Sequence, residues 1–119
     1  MKVLVDTCIW ITHFKSPNSL LTSLVENQLV FTHESVLGEL IVGNIPQRRS
    51  TLILLLHLPR IQNATFAELM WFVERQSLHA KGLSWSDVHL LCSCILFDTK
   101  LYTIDSRLHT QAQLLKIAL

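Results

Sequence analysis

In Lys2-Val3-Leu4-Val5-Asp6-Thr7 an apolar run stops abruptly at an acid. Leu101-Tyr102-Thr103-Ile104-Asp105-Ser106-Arg107 repeats the arrangement near the other end of the chain. Short apolar runs of this kind read as strands buried on both faces, as in parallel sheets. If the two runs lie parallel in one sheet, Asp6 and Asp105 share its carboxyl edge. Open α/β sheets bind ligands at that edge.

The stretches between the two runs read mainly as helices. Cys8 to Phe14 and Pro17 to Glu26 are helical, with Pro17 suited to a first helical position. Leu29 to Phe31 is a short strand candidate. From His33 to Val42 the apolar positions Val36, Leu37, Leu40 and Ile41 follow helical spacing, and Gly43 and Asn44 end the run. Pro46 opens a helix to about Leu58, and Pro59 breaks the chain. Thr65-Phe66-Ala67-Glu68 is a capping-box pattern opening a helix to about His79. Ser84-Trp85-Ser86-Asp87 is a second such pattern, leading into a buried helix through Leu96. A short helix follows Asp105, and Ile117 is a weak edge-strand candidate. Strands separated by helices imply βαβ units and a mostly parallel sheet, an α/β fold.

With 119 residues the chain predicts one domain, residues 1–119, with a real core. Half of the residues are hydrophobic and 16% are charged, which excludes disorder and predicts apolar surface buried against a partner. No apolar run approaches the ~20 residues that span a bilayer. Leu52 to Leu56 is the longest, and His57 ends it. Asp6 interrupts any signal-peptide core, so the expected location is the cytoplasm, with no membrane contact. Cys8, Cys92 and Cys94 are odd in number and lack C-x-x-C spacing. They read as buried free thiols, not as a disulfide framework or zinc site. The six histidines show no H-x-x-x-H spacing, which disfavours a zinc hydrolase.

The net charge is only +1, from ten basic and nine acidic residues. Four of those acids stand out: Asp6, Asp87 and Asp105 stand at or near helix starts, and Glu39 lies within an apolar helix. Each has an ordinary reading. Asp6 and Asp105 suit helix N-caps. Asp87 suits the closing position of its capping box. Glu39 suits a solvated helical face, although its apolar neighbours favour a partly buried carboxylate that needs a partner. The other reading gathers them. Carboxylates ~5 Å apart repel by roughly 3 kcal/mol per pair at an effective dielectric of ~20. Hard divalent ions such as Mg²⁺ and Mn²⁺ neutralise such a cluster. A metal-dependent enzyme, most simply a nuclease, follows from this reading. Ten basic residues then outweigh the five remaining acids, a balance that suits a phosphate backbone. Thr103 is placed to hydrogen-bond a ligating carboxylate, whereas His89 reads as a packing residue.

Two other enzyme classes place acids after strands. An aspartate-dependent phosphatase requires D-x-D, but position 8 is Cys8. A receiver domain requires an early acidic pair, which is lacking.

Together these segments resemble the PIN-domain ribonucleases, most closely VapC-like toxins of type II toxin–antitoxin pairs. The resemblance spans essentially the whole chain. It rests on Val3-Leu4-Val5-Asp6-Thr7 with Trp10-Ile11, and on Val36-Leu37-Gly38-Glu39-Leu40 with Gly43. It also rests on Gly82-Leu83-Ser84-Trp85-Ser86-Asp87-Val88-His89 and on Leu101 to Leu108. Cys8 departs from the small polar residue common at its position.

The resemblance implies a PIN-like three-layer α/β/α sandwich around a mostly parallel sheet of four to five short strands. It implies an endoribonuclease whose catalytic and metal-binding residues are Asp6, Glu39, Asp87 and Asp105, with Mg²⁺ or Mn²⁺ as cofactor. Thr7 and Thr103 would support those acids. Arg107 would hold substrate phosphate, with Arg48, Arg49 and Lys81 as further candidates. The implied partners are RNA, a cognate antitoxin protein and a second copy in a homodimer. The competing expectation is a catalytically silent PIN-like module that binds protein or RNA and keeps its acids only as caps.

Overall fold

The computed structural model describes all 119 residues. Three parallel strands form the sheet in the order β2-β1-β3: β1 (Val3–Val5), β2 (Val30–Phe31) and β3 (Lys100–Tyr102). The register aligns Val3 with Val30 on one side and with Lys100 on the other. Each edge is extended by one residue in parallel bridging, Thr32 with Arg60 and Leu101 with Ala118. The expected four to five strands are therefore three strands and two single bridges. The weak edge expected at Ile117 is real: Leu101 N–H donates to Ile117 O at 2.7 Å, and Leu119 N–H to Leu101 O at 3.0 Å.

Helices α1 (Thr7–Lys15) and α2 (Ser19–Glu26) connect β1 to β2. Helices α3 (Glu34–Val42), α4 (Arg48–His57), α5 (Phe66–Gln76) and α6 (Trp85–Leu96) lead back across β1 to β3, and α7 (Ser106–Leu114) follows. Parallel crossovers are right-handed almost without exception, so two that run in opposite directions cover opposite faces. Val3, Leu4 and Val5 are accordingly all 0% exposed, although alternate residues of a strand face opposite sides. Leu40, Leu91, Leu101 and Leu108 complete the centre, each fully buried, and such a side chain contributes about 1.5–3 kcal/mol by leaving water.

Several element boundaries differ from expectation, for reasons of capping and of local backbone conformation. Helix α2 starts at Ser19 because Asn18 caps it, its side chain accepting from Leu21 N–H at 3.0 Å. Pro17 thus lies outside the helix. Gln47 takes a left-handed conformation, φ 46°, which delays α4 from Pro46 to Arg48. Ser77 does the same at φ 53° and ends α5 three residues before His79. Strand β3 stops at Tyr102, because Thr103 and Ile104 already turn toward the cap of α7. Both capping boxes form as read, at Thr65 with Glu68 and at Ser84 with Asp87. No helix is long and apolar enough to cross a membrane.

Candidate active site at the carboxyl edge of the sheet

The parallel strands point their carboxyl ends the same way, and each is followed by a helix start. Asp6 leaves β1 and caps α1, its Oδ1 accepting from Thr7 N–H at 2.8 Å. Its other oxygen, Oδ2, accepts from the Thr103 hydroxyl at 2.7 Å. The Cys8 thiol is 3.4 Å from that same oxygen and 3.5 Å from the Thr103 hydroxyl oxygen. Thr103 Oγ1 in turn accepts from Asp105 N–H at 3.1 Å. Asp105 caps α7, its Oδ1 accepting from Leu108 N–H at 3.0 Å. One threonine therefore joins the first and fourth acids across adjacent strands.

Asp87 and Glu39 approach from the helices. Asp87 closes its capping box, Oδ2 accepting from Ser84 N–H at 3.0 Å. Glu39, on α3, accepts from the hydroxyl of Ser86 at 3.0 Å. Ser86 is the chain neighbour of Asp87, so α3 and the start of α6 are pinned together. Glu39 is exposed, not partly buried as its apolar neighbours suggested. Those neighbours divide between faces: Val36, Leu37 and Leu40 face the core, while Ile41 is 41% exposed.

Asp6 carries the strain of the site. It is 9% exposed. Burial raises its pKa above the usual carboxylate range, against the lowering effect of hydrogen bonds from Thr103, Thr7 and Cys8, and the negative charge of Asp87 adds to the rise. No basic group is among the influences acting on it. The field of Asp87 at Asp6 also links the two halves of the site. Glu39, Ser86 and Asp87 form one group, and Asp6, Thr103 and Asp105 the other. As they stand, no three Asp, Glu, His or Cys side chains close around a common point to hold a metal ion.

Thr7 acts through its backbone N–H. Its hydroxyl is buried without a partner, so the expected side-chain support comes from Thr103 alone. Arg107, Lys81, Arg48 and Arg49 are all exposed. Cys92 and Cys94 are buried free thiols, as read, whereas Cys8 is a free thiol only partly buried at the site edge; burial pushes the Cys94 thiol up to about 12.

Sequence reasoning missed two supports of this edge. Ser86 escaped because its role depends on α3 lying opposite. His33 escaped because histidine is not among the usual capping residues and its ring neighbour His89 is distant in the chain. His33 is 1% exposed and caps α3, its Nδ1 accepting from Ser35 N–H at 3.0 Å. Its ring lies 5.7 Å from that of His89, which packs edge-on against Trp85, so the packing role read for His89 holds. Burial, with the neighbouring His89, lowers the His33 pKa from 6.5 to about 4, and Glu34 opposes the shift. A depressed histidine pKa means that the unfolded chain binds the proton more readily. Its contribution to stability is whole above pH 6.5 and is lost as pH falls toward 4. We expect the unfolding temperature to drop by at least ~5 °C across that window, the equivalent of about 1 kcal/mol in a domain of this size. His33→Asn, which keeps a capping side chain, should flatten the profile. Thermal unfolding of both proteins between pH 4 and pH 7 checks it.

The fold and the edge define an α/β protein with an acidic site at the carboxyl ends of a parallel sheet. Ribonuclease VapC32 of Mycobacterium tuberculosis, in strains CDC 1551/Oshkosh and ATCC 25618/H37Rv, is 36% identical to this chain over 107 residues. That match covers 89% of this chain and 86% of the relative. The chain belongs to the VapC ribonuclease family. The solved structure of VapBC-1 from nontypeable Haemophilus influenzae superposes with a TM-score of 0.71. It covers 99% of this chain and 96% of the matched one at 16% identity, a likeness of fold. No family model matches the chain.

Proposed function

We propose that this chain is a divalent-metal-dependent endoribonuclease, the toxin of a toxin–antitoxin pair. Membership of the VapC ribonuclease family supports the ribonuclease reading, and Asp6 is the observation that carries the metal dependence. A carboxylate this buried, with no cation to offset it, is costly at neutral pH. The donor chemistry suits Mg²⁺ or Mn²⁺, which take carboxylate and water oxygens. The orphaned Thr7 hydroxyl beside Asp6 is a further oxygen that a hydrated ion would satisfy. We assign Asp6, Glu39, Asp87 and Asp105 as the holding groups. Asp87 and Asp105 each direct one oxygen to a backbone N–H and keep the other available. Glu39, anchored by Ser86, is fit for water-mediated contact.

When bound, the ion supplies an activated water and charge neutralisation at the scissile phosphate. The chain's own residues do the rest. Thr103 holds Asp6 Oδ2 and the Asp105 backbone in one geometry, so both acids are preorganised at the sheet edge. The starts of α1, α6 and α7 present helix N-termini to the same edge, which favours a polyanion. Arg107, Arg48, Arg49 and Lys81 are the exposed cations that we assign to the RNA backbone.

Two apolar surfaces supply faces for protein partners. Trp10, Phe14, Val25, Leu54 and Leu58 line a cavity of about 420 Å³ between α1, α2 and α4. Trp71, Phe72, Ile95 and Leu96 line another of about 440 Å³ between α5 and α6. An antitoxin and a second copy of the chain together account for two such faces.

The test is cleavage of end-labelled RNA by antitoxin-free protein with Mg²⁺, with Mn²⁺ and with chelator. Cutting that requires the ion is expected, together with a rise in unfolding temperature on adding Mn²⁺. A folded protein that neither cuts nor shifts would return the acids to capping alone.

A further inference from the structure

We infer that Gly82 is a positioning residue for Arg107, seating its guanidinium across the mouth of the acidic edge where it meets RNA phosphate. The inference rests on the reading of Arg107 as a phosphate-binding group. Gly82 has φ 76°, in the left-handed region. A Cβ built on it would stand 2.8 Å from Arg107 Nη1, 3.0 Å from Cδ and 3.2 Å from Cζ. The arginine therefore lies directly on the bare backbone of this glycine. Arg107 belongs to the first turn of α7, two residues after Asp105. Gly82 stands two residues before Ser84, which caps the helix of Asp87. The side chain thus spans the gap between the two helix starts that carry the third and fourth acids.

No carboxylate at this edge claims the arginine. Asp105 and Asp87 give their bonded oxygens to Leu108 N–H and Ser84 N–H. The planar fork is left to a ligand, and arginine recognises phosphate oxygens through two parallel hydrogen bonds. A side chain at position 82 would require the Arg107 side chain to shift from this seat.

A double-mutant cycle tests the inference by RNA binding. All variants carry Asp6→Asn, so a short mixed-sequence, fluorescently labelled RNA survives the measurement. Asn is the replacement for Gly82 because it tolerates left-handed backbone while adding a Cβ. Arg107→Ala is expected to weaken binding about tenfold and to reduce the salt slope by about one. Gly82→Asn should weaken binding to a similar extent, and the double variant should bind no worse than Arg107→Ala. Wild-type affinity in Gly82→Asn, or losses that simply add, would overturn the positioning role and leave Arg107 as a phosphate group. Unchanged binding in Arg107→Ala would remove the underlying reading, and the inference with it. Should Gly82→Asn fail to fold, Arg107→Lys decides. Lysine keeps the charge without the fork, so retention of full affinity would overturn the proposal and a loss of severalfold would support it.

Discussion

Asp6→Asn is expected to abolish RNA cleavage, by ~10³-fold or more, and at the same time to stabilise the metal-free protein. The loss of activity follows from removing the buried charge that we propose as the anchor of the ion; a thousandfold corresponds to about 4 kcal/mol of transition-state stabilisation. The gain in stability follows from the same charge. Burial raises the Asp6 pKa, so its contribution to stability is present below 3.8 and is lost as pH rises through the folded value. At neutral pH the ionised carboxylate is held at a cost, which the amide removes. Asparagine is as good an N-cap as aspartate, so α1 keeps its start. The unfolding temperature of the variant in chelator should exceed that of the wild type by a few degrees. Adding Mn²⁺ should reverse the order: an ion at a hundred times its Kd stabilises by about 2.7 kcal/mol, and only the wild type binds it well. A metal-free variant less stable than the wild type, with an unaltered response to Mn²⁺, would mean that Asp6 serves only as a cap.

Thr103→Val is the second large effect, with an expected loss of 10- to 100-fold in kcat/KM. Valine matches the shape of threonine and retains the fit of a buried position, so the change isolates the hydroxyl. That hydroxyl donates to Asp6 Oδ2 at 2.7 Å and accepts from Asp105 N–H at 3.1 Å. Groups that orient metal-binding side chains from behind typically cost this much when removed. Both of its partners also lose a bond at the same time. Asp6 Oδ2 keeps only the Cys8 thiol at 3.4 Å, and a hydrogen bond lost to a buried charged group costs about 1–3 kcal/mol, so the unfolding temperature should fall as well. Thr103→Ser separates the effects: it restores the hydroxyl and most of the activity while giving up a methyl group. Kinetics and thermal unfolding of the pair check both parts. Equal activity in Val and wild type would show that Asp6 and Asp105 are positioned without the bridge.

The sheet edge was legible because its signals are local. An apolar run that ends in an acid can be read from adjacent residues, as at Val5-Asp6 and in the two capping boxes. The contact of Thr103 with a carboxylate was foreseen from the same run, although the strand ends one residue before it. What was not legible depends on distant parts of the chain. Ser86 meets Glu39 from 47 positions away. The His33–His89 contact and the seat of Arg107 on Gly82 need the helices already packed. Burial was misjudged at Glu39 for a related reason. Apolar neighbours in sequence show that a helix is buried on one face, and only the packed structure shows where that face ends.

Asp6, Asp87 and Asp105 each hold a helix start with one oxygen. Their places in the fold therefore do not depend on the ion that we assign to them. Serine and asparagine fill the same structural post without offering a carboxylate. On the assignment proposed above, an inert copy of the protein that keeps its native fold thus lies one substitution away. Such a copy would be a practical reagent: we expect it to be produced in a living host without harm and to serve as bait for the antitoxin and RNA proposed as partners.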